Sequence, residues 1–234
     1  DYKKWTHSIP NCLLTITTII VNFFLAFMLV SASDWTNANN FGLLHLLNSS
    51  TLVSIIVGIL LLDLVGAYLP HLVQHKVKLL WYIHIVHHTD QNVDTTTANR
   101  HHPFESIVRF IFTLTGIIIS GAPIGLVLMY QSLSVIFSQF NHANIQISDK
   151  VDKVLSYIIV SPNMHKVHHH FKLPYTDSNY GNIFSLWDRL FGTYMELNKN
   201  QIIYGVDTDL DEIQNSKFMS LIERPFKKWS EYFN

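Results

Sequence analysis

Charged residues are scarce in this chain of 234 residues, of which only 14% are Asp, Glu, Lys or Arg and 48% are hydrophobic. Soluble domains carry about 25% charged residues, so the composition argues against a water-soluble protein. The single cysteine, Cys12, excludes a disulfide framework within the chain. A basic face interleaved with aromatic residues is missing, as are a serine elbow, a Walker loop and a dinucleotide fingerprint. The sequence therefore gives no indication of nucleic-acid binding or of those enzyme classes.

Long apolar runs are what the chain has instead. Four of them cover residues 12–30, 43–69, 106–120 and 122–140. A helix needs about 20 apolar residues to cross a bilayer, so the third run is short for a full crossing. We predict a single domain over residues 1–234, an all-α integral membrane protein with about four transmembrane helices in two hairpins. A histidine-rich helical cap is expected from residues 71–105 and 141–195, followed by a tail at 196–234.

The distribution of positive charge predicts the orientation. None of the sixteen Lys and Arg residues lies between residues 31 and 43 or at the Gly121 turn. Under the positive-inside rule, both hairpins then begin and end in the cytoplasm, together with the cap and both termini. A bacterial inner membrane or the endoplasmic reticulum fits this arrangement. Because residue 1 is aspartate, we expect a trimmed N-terminus, and no cleavable signal sequence is recognisable.

Histidines cluster in three motifs with the spacing of metal ligands. The motifs are His71-x3-His75, His84-x2-His87-His88 and His165-x2-His168-His169. Imidazoles four residues apart lie on one face of a helix, so these eight side chains are enough for two ions. Imidazole binds iron, zinc, copper and nickel alike, so the motifs indicate a metal site without naming the metal. A surface histidine run that binds adventitious metal is the plainer alternative.

Further polar residues near these motifs are candidate members of the site. His142 closes the fourth apolar run and is a ninth candidate ligand, while His102 is either a tenth ligand or a helix-entry residue. Asp63 and Tyr68 precede His71 on the same predicted helix. Asp63 is expected either to orient a ligand imidazole or to pair elsewhere, and Pro70 predicts a kink.

An all-nitrogen dinuclear site beside lipid favours O2 activation, with electrons from a separate donor protein or a diffusible reductant. The zinc hydrolase motif HExxH needs a glutamate between its histidines, and none of the three motifs has one. A lipid hydrolase using zinc, or a membrane metal-binding protein, remains a more distant alternative.

The ordered motifs of residues 60 to 195 resemble the fatty acid hydroxylase (sterol desaturase) superfamily of di-iron membrane oxygenases. Besides the histidine motifs, the matching residues are Asp63-x4-Tyr68, Arg100-x-His102-Pro103-x-Glu105, Asn141-His142-x-Asn144, and the closing stretches Asp177–Gly181 and Trp187–Thr193. The resemblance implies O2-dependent hydroxylation or desaturation of a membrane lipid by two irons. It implies nine ligands: His71, His75, His84, His87, His88, His142, His165, His168 and His169, with His102 less secure.

One departure from the family pattern concerns His142. Some relatives pair this histidine with a second one nearby, whereas this chain has only the one. The ligand sets of the two metals are then uneven, or are completed by Asn144 or water. Fatty acyl, ether lipid and sterol substrates all remain open, as does the choice between hydroxylation and desaturation. Zinc in purified protein would not identify the native metal.

Overall fold

A computed structural model describes residues 4–47 and 49–233, and the part of the chain that it describes is helical and without strands. The helices are α1 Lys4–Ala38, α2 Leu43–Leu46, α3 Thr51–Asp63, α4 Leu69–Lys76, α5 Lys78–His88, α6 Pro103–Ser120, α7 Ile124–His142, α8 Asp149–Leu155, α9 Pro162–His168, α10 Leu186–Leu190, α11 Glu212–Asn215 and α12 Phe218–Phe233. A π-helical segment, Leu64–Tyr68, joins α3 to α4.

Four helical segments are long and apolar enough to cross a membrane, as the sequence predicts. They are Lys4–Leu46, Thr51–Lys76, Pro103–Ser120 and Ile124–His142. The first extends well beyond the apolar run at residues 12–30 in both directions, whereas the second begins inside the run at residues 43–69 and ends seven residues after it. The third helix begins three residues before the apolar run at residues 106–120. It has 18 residues and is therefore closer to the length of a full crossing than the run is.

The kink predicted at Pro70 takes the form of the π-helical segment. Leu69 donates its backbone N–H to Leu64 O, five residues back rather than four. Proline has no N–H and its ring crowds the carbonyl four residues earlier. A wider turn just before Pro70 relieves that crowding and leads into α4, which carries His71 and His75.

The two tight connections between spans meet at glycines. Gly121 follows α6 with φ of +69°, and a Cβ there would lie 2.3 Å from Phe41 O. Gly42 has φ of +112°, and its Cβ would lie 2.3 Å from Gly121 N. Only glycine permits both the positive φ and this approach of backbones. The α1–α2 and α6–α7 connections are therefore neighbours at one end of the bundle.

The core of the bundle also holds a residue of the distant cap. Leu62, Ile117, Val127 and Tyr130 from the spans pack together with Ile183, which precedes α10. Burying such apolar side chains contributes roughly 1.5–3 kcal/mol each in water, and less beside lipid. The cap is thereby fixed against the spans.

Arg100 ties the N-terminal helix to the other end of the cap. It is 2% exposed and donates to Asn11 Oδ1, Val86 O and Asn215 O at 2.7, 2.9 and 2.6 Å. Near the C-terminus, Leu221 of α12 packs on Leu14 and Val86.

Candidate metal centre

Five imidazoles from three helices form a first group at the cap end of the spans. His71 and His75 come from α4, His84 and His88 from α5, and His168 from α9. One ring nitrogen of each lies within 4.8 Å of one ring nitrogen of every other. The ring centroids of His71 and His168 are 4.5 Å apart, and those of His88 and His168 are 4.6 Å apart.

Four buried imidazoles form a second group beside the first. They are His87, His142, His165 and His169. His142 Nε2 lies 3.2 Å from His87 Nε2 and 3.1 Å from the Nε2 atoms of both His165 and His169. Two nitrogens bound at about 2.1 Å to one ion are separated by roughly 3.0–3.4 Å at octahedral or tetrahedral angles, so the spacing fits a common metal.

The HxxHH motifs divide their histidines between the two groups. In α5, His84 and His88 are one helical turn apart and reach the first group, whereas His87 points to the second. The motif of α9 is divided in the opposite proportion, because His168 joins the first group and His165 and His169 join the second. Each motif therefore links the two groups. The ring centroids of His88 in the first group and His87 in the second are 5.4 Å apart.

The hydrogen bonds of the rings leave nitrogens free for a metal. His71 Nδ1 donates to Tyr180 O at 2.8 Å, His168 Nδ1 to Ser178 O at 2.6 Å and His142 Nδ1 to Ser138 O at 2.8 Å. These bonds place the proton on Nδ1 and the lone pair on Nε2. The Nε2 atoms of the first group are all buried without a hydrogen-bond partner among the described residues: His71, His75, His84, His88 and His168. The residues present therefore fit metal ions in both groups.

Burial favours the neutral form of five cap histidines. It lowers the pKa of His168 to about 3, and lowers the pKa values of His87 and His88 well below the ordinary range. His165 and His169 show the same direction, first through burial and then through neighbouring imidazoles. Neutral imidazole is the form that ligates a metal, so no proton has to be displaced from the free nitrogens.

Glu105 and His101 belong to this centre although the sequence analysis assigned them no role in it. Glu105 Oε2 lies 3.1 Å from His84 Nδ1, and Oε1 lies 3.0 Å from His101 Nδ1. His101 also stacks on His87, with ring centroids 4.5 Å apart. A carboxylate behind a ligand imidazole fixes its orientation and raises its basicity. The signal in the sequence for this pairing was a glutamate in the first turn of an apolar helix, four residues after His101.

Asp63 pairs away from the histidines, which is the second of the two arrangements that the sequence leaves open for it. Its carboxylate accepts from Trp187 Nε1 at 2.9 Å, Phe184 N at 3.2 Å and Ile183 N at 3.4 Å. Tyr68 likewise bonds to Thr193 Oγ1 at 2.9 Å rather than to an imidazole. Both residues hold the closing stretch of the cap against the second span.

His102 and Asn144 also lie outside both groups. His102 is the N-cap of α6, where Nδ1 accepts from Phe104 N at 3.2 Å and Nε2 donates to Ile222 O at 3.1 Å. Both ring nitrogens are thus used, and the helix-entry alternative holds. Asn144 was a candidate to complete the ligand set at His142. It lies just beyond α7 and is exposed, so it does not reach the second group.

Asp188 organises the loop whose backbone carbonyls accept hydrogen bonds from the imidazoles. Its carboxylate accepts from Tyr180 N at 2.7 Å, Gly181 N at 2.9 Å and Thr193 Oγ1 at 2.7 Å. Burial raises the pKa of Asp188 to about 6 against these hydrogen bonds, which lower it. The segment that it fixes includes Tyr180 O, the acceptor for His71.

Comparison with known proteins places these features in a family. The alkylglycerol monooxygenase of Danio rerio is 32% identical over 146 residues, which are 60% of this chain and 30% of the relative. The human alkylglycerol monooxygenase is 24% identical over 173 residues, 72% of this chain and 36% of the relative. Ornithine lipid hydroxylase OlsE of Rhizobium tropici is 24% identical over 140 residues, 60% of this chain and 41% of the relative.

The chain thus spans less than half the length of these relatives, and no solved structure matches it significantly. The family model for fatty acid hydroxylase matches residues 55–193, a range that contains both histidine groups together with Asp63 and Asp188. The chain belongs to the fatty acid hydroxylase family.

Proposed function

We propose that this protein is a di-iron oxygenase that uses O2 to hydroxylate a C–H bond of a membrane lipid. The observation that carries the proposal is the convergence of nine imidazoles in two adjacent groups, with free buried nitrogens facing one another. Hydrogen bonding does not account for three Nε2 atoms about His142 Nε2, because one lone pair accepts one N–H in its plane. A cation in each group accounts for them.

The lipid substrate is inferred from the relatives and from the position of the centre. Two of the relatives are named for hydroxylating or oxidising lipids. The histidines lie where four apolar segments end, so a lipid in the bilayer reaches them without entering water. Fatty acyl, ether lipid and sterol-like substrates all fit this general position.

The chain's own residues hold and shield the metals. His71, His75, His84, His88 and His168 would hold one iron, and His87, His142, His165 and His169 the other. Carbonyl acceptors and Glu105 fix the ring orientations. Iron at these positions would supply O2 activation, with two electrons from a donor protein or a diffusible reductant. Zinc is expected to occupy the same nitrogens in purified protein.

We also propose a two-hairpin topology with the histidine cap and both termini in the cytoplasm. The contact between Gly42 and Gly121 supports it, since both connections then lie at the end opposite the histidines. The absence of Lys and Arg at these connections supports the same orientation.

Untargeted mass spectrometry of membrane lipids tests the activity. Cells producing the wild-type chain are compared with cells producing His168→Ala, and His170→Ala is the matched control. His170 is the next imidazole along the chain but belongs to neither group, and its Nδ1 accepts from Ile203 N at 3.1 Å. We expect a lipid that gains one oxygen with wild type and His170→Ala but not with His168→Ala.

Other outcomes have defined meanings. A lipid that loses two hydrogens would identify a desaturase with the same centre. Oxidation that persists in His168→Ala would contradict the dinuclear assignment. Lipid cleavage that continues without oxygen and with zinc alone would replace the proposal by a zinc hydrolase.

A further inference from the structure

We infer that the cavity between α1, α6 and α7 binds one alkyl chain of an anionic lipid, and that Arg109 binds its negatively charged group beside the histidines. This inference rests on the proposed function and specifies its substrate class. It assigns Arg109 as a positioning residue and assigns the cavity as the site of the chain.

The cavity is elongated along the spans. Its volume is about 380 Å³, within the range of roughly 300–1,000 Å³ typical of small-molecule sites. Its lining on α7 extends from Ile124 to Ser138, which is about 21 Å at 1.5 Å per residue. The lining on α1 extends from Thr18 to Val30. A cavity of this volume and length suits one extended alkyl chain better than a rigid fused-ring lipid.

The walls become more apolar away from the histidines. Leu25, Leu29, Val127 and Leu128 line the part that lies towards the Gly42 and Gly121 connections. Near the cap, the lining includes His101 and Arg109. An alkyl chain would therefore lie with its tail towards those connections and its polar group at the histidine end.

The same cavity adjoins the metal centre. His101, Arg109 and Ser138 line both this cavity and a smaller one of about 40 Å³ whose walls include His71, His84, His87 and His142. A group bound to Arg109 is thus adjacent to both histidine groups. The two cavities therefore meet at these three side chains, next to the nitrogens that would hold the metals.

The guanidinium group of Arg109 can bind an anionic ligand. Its one ion pair among the described residues is a long one, with Nη1 3.8 Å from Glu105 Oε1 and beyond hydrogen-bond distance, and that carboxylate also faces His84 and His101. Its side chain is 41% exposed, although it lies on a membrane-spanning helix. An arginine within a span is unfavourable unless it pairs, and a carboxylate or phosphate matches its planar donors.

The geometry also predicts which carbon is oxidised. With the anionic group on Arg109, the C–H bonds nearest the histidines are those close to the head group, not those at the chain end. The overall change is one C–H becoming C–OH, with O2, two electrons from the external donor and two protons giving one water. We therefore expect the hydroxyl within the first few carbons of the chain.

Binding measured without a reductant separates this inference from the proposed activity. The probe is tritiated hexadecanoate, bound to purified full chain in neutral detergent and displaced by hexadecyl phosphate or by uncharged hexadecanol. We expect both anions to bind about tenfold more tightly than hexadecanol, and Arg109→Gln to lose that preference while binding hexadecanol normally. Arg109→Lys should retain part of the preference. Arg189→Gln is the matched control, because Arg189 lies in the cap over the rings of Tyr157 and Tyr194.

A second pair of variants tests the cavity itself. Ala26→Phe adds a ring to the cavity wall on α1, and Ser31→Phe adds the same ring to the same helix outside the lining. We expect Ala26→Phe to weaken hexadecanoate about tenfold and octanoate little, and Ser31→Phe to change neither. Equal binding of acid and alcohol, or an unchanged Arg109→Gln, would overturn the inference. Anion preference without any oxidised lipid in cells would instead contradict the proposed function alone.

Discussion

Glu105 is the buried carboxylate at which two imidazoles of the centre meet. It lies in the first turn of α6 and is fully buried, with His84 beside one oxygen and His101 beside the other. His84 belongs to the first group, so the carboxylate acts on a ligand through its Nδ1. Since His101 stacks on His87 of the second group, one acidic side chain influences both groups.

Glu105→Gln is expected to weaken metal binding and activity by about 10- to 100-fold, the usual effect of losing such a partner. The glutamine side chain has the same size, but its NH2 group replaces one of the two oxygens that accept hydrogen bonds in glutamate. Metal content after dialysis against a chelator, together with lipid oxidation in cells, measures the effect. Glu223→Gln is the matched control, because Glu223 is a surface residue paired with Lys227. Full metal content in Glu105→Gln would show that His84 is oriented without the carboxylate.

The nine histidines could be named from the sequence, whereas their partners could not. Local spacing in HxxxH and HxxHH places imidazoles on one helix face whatever the tertiary structure. The role of Glu105 depends on α5 and α6 meeting, and that of Asp63 on a stretch more than a hundred residues away. Long-range contacts of this kind leave no periodic signal in one sequence.

α12 is the element that closes the structure behind α5. Trp229 Nε1 donates to Leu79 O at 3.0 Å, and Leu221 packs on Leu14 of α1 and Val86 of α5. The C-terminal helix thus stabilises the helix that carries His84, His87 and His88.

Leu221→Ala is expected to destabilise the protein by about 2–5 kcal/mol, because it leaves a cavity at a fully buried position. The melting temperature of the purified protein in detergent measures the loss. Met219→Ala provides the comparison, since Met219 is 59% exposed two residues earlier on the same helix. Similar melting temperatures for the two variants would show that α12 contributes little to the packing.

The four apolar helices were predictable because length and hydropathy alone identify them. The ends of these helices were less predictable from the sequence. Polar residues such as His7 and Asn11 extend α1 into the cap, where Asp90 accepts hydrogen bonds from both. The π-helical segment before Pro70 was visible only as a predicted kink, because proline indicates a disturbance but not its form.

The orientation of the whole molecule is open to a direct test. Green fluorescent protein fused after residue 234 should fluoresce, and alkaline phosphatase fused there should be inactive, because we expect that end in the cytoplasm. Alkaline phosphatase inserted after Asn40, in the α1–α2 connection, should be active. An active phosphatase at residue 234 would reverse the proposed topology.

The division of the histidine motifs between two groups also bears on how the protein is made. Each group combines residues from before residue 90 with residues beyond residue 160. Neither group is complete until α9 has left the ribosome and the third and fourth spans have entered the membrane. Under the proposed function, metal would therefore bind late in biogenesis, and a chain stalled or cleaved before residue 165 would insert its spans yet carry only fragments of both histidine groups.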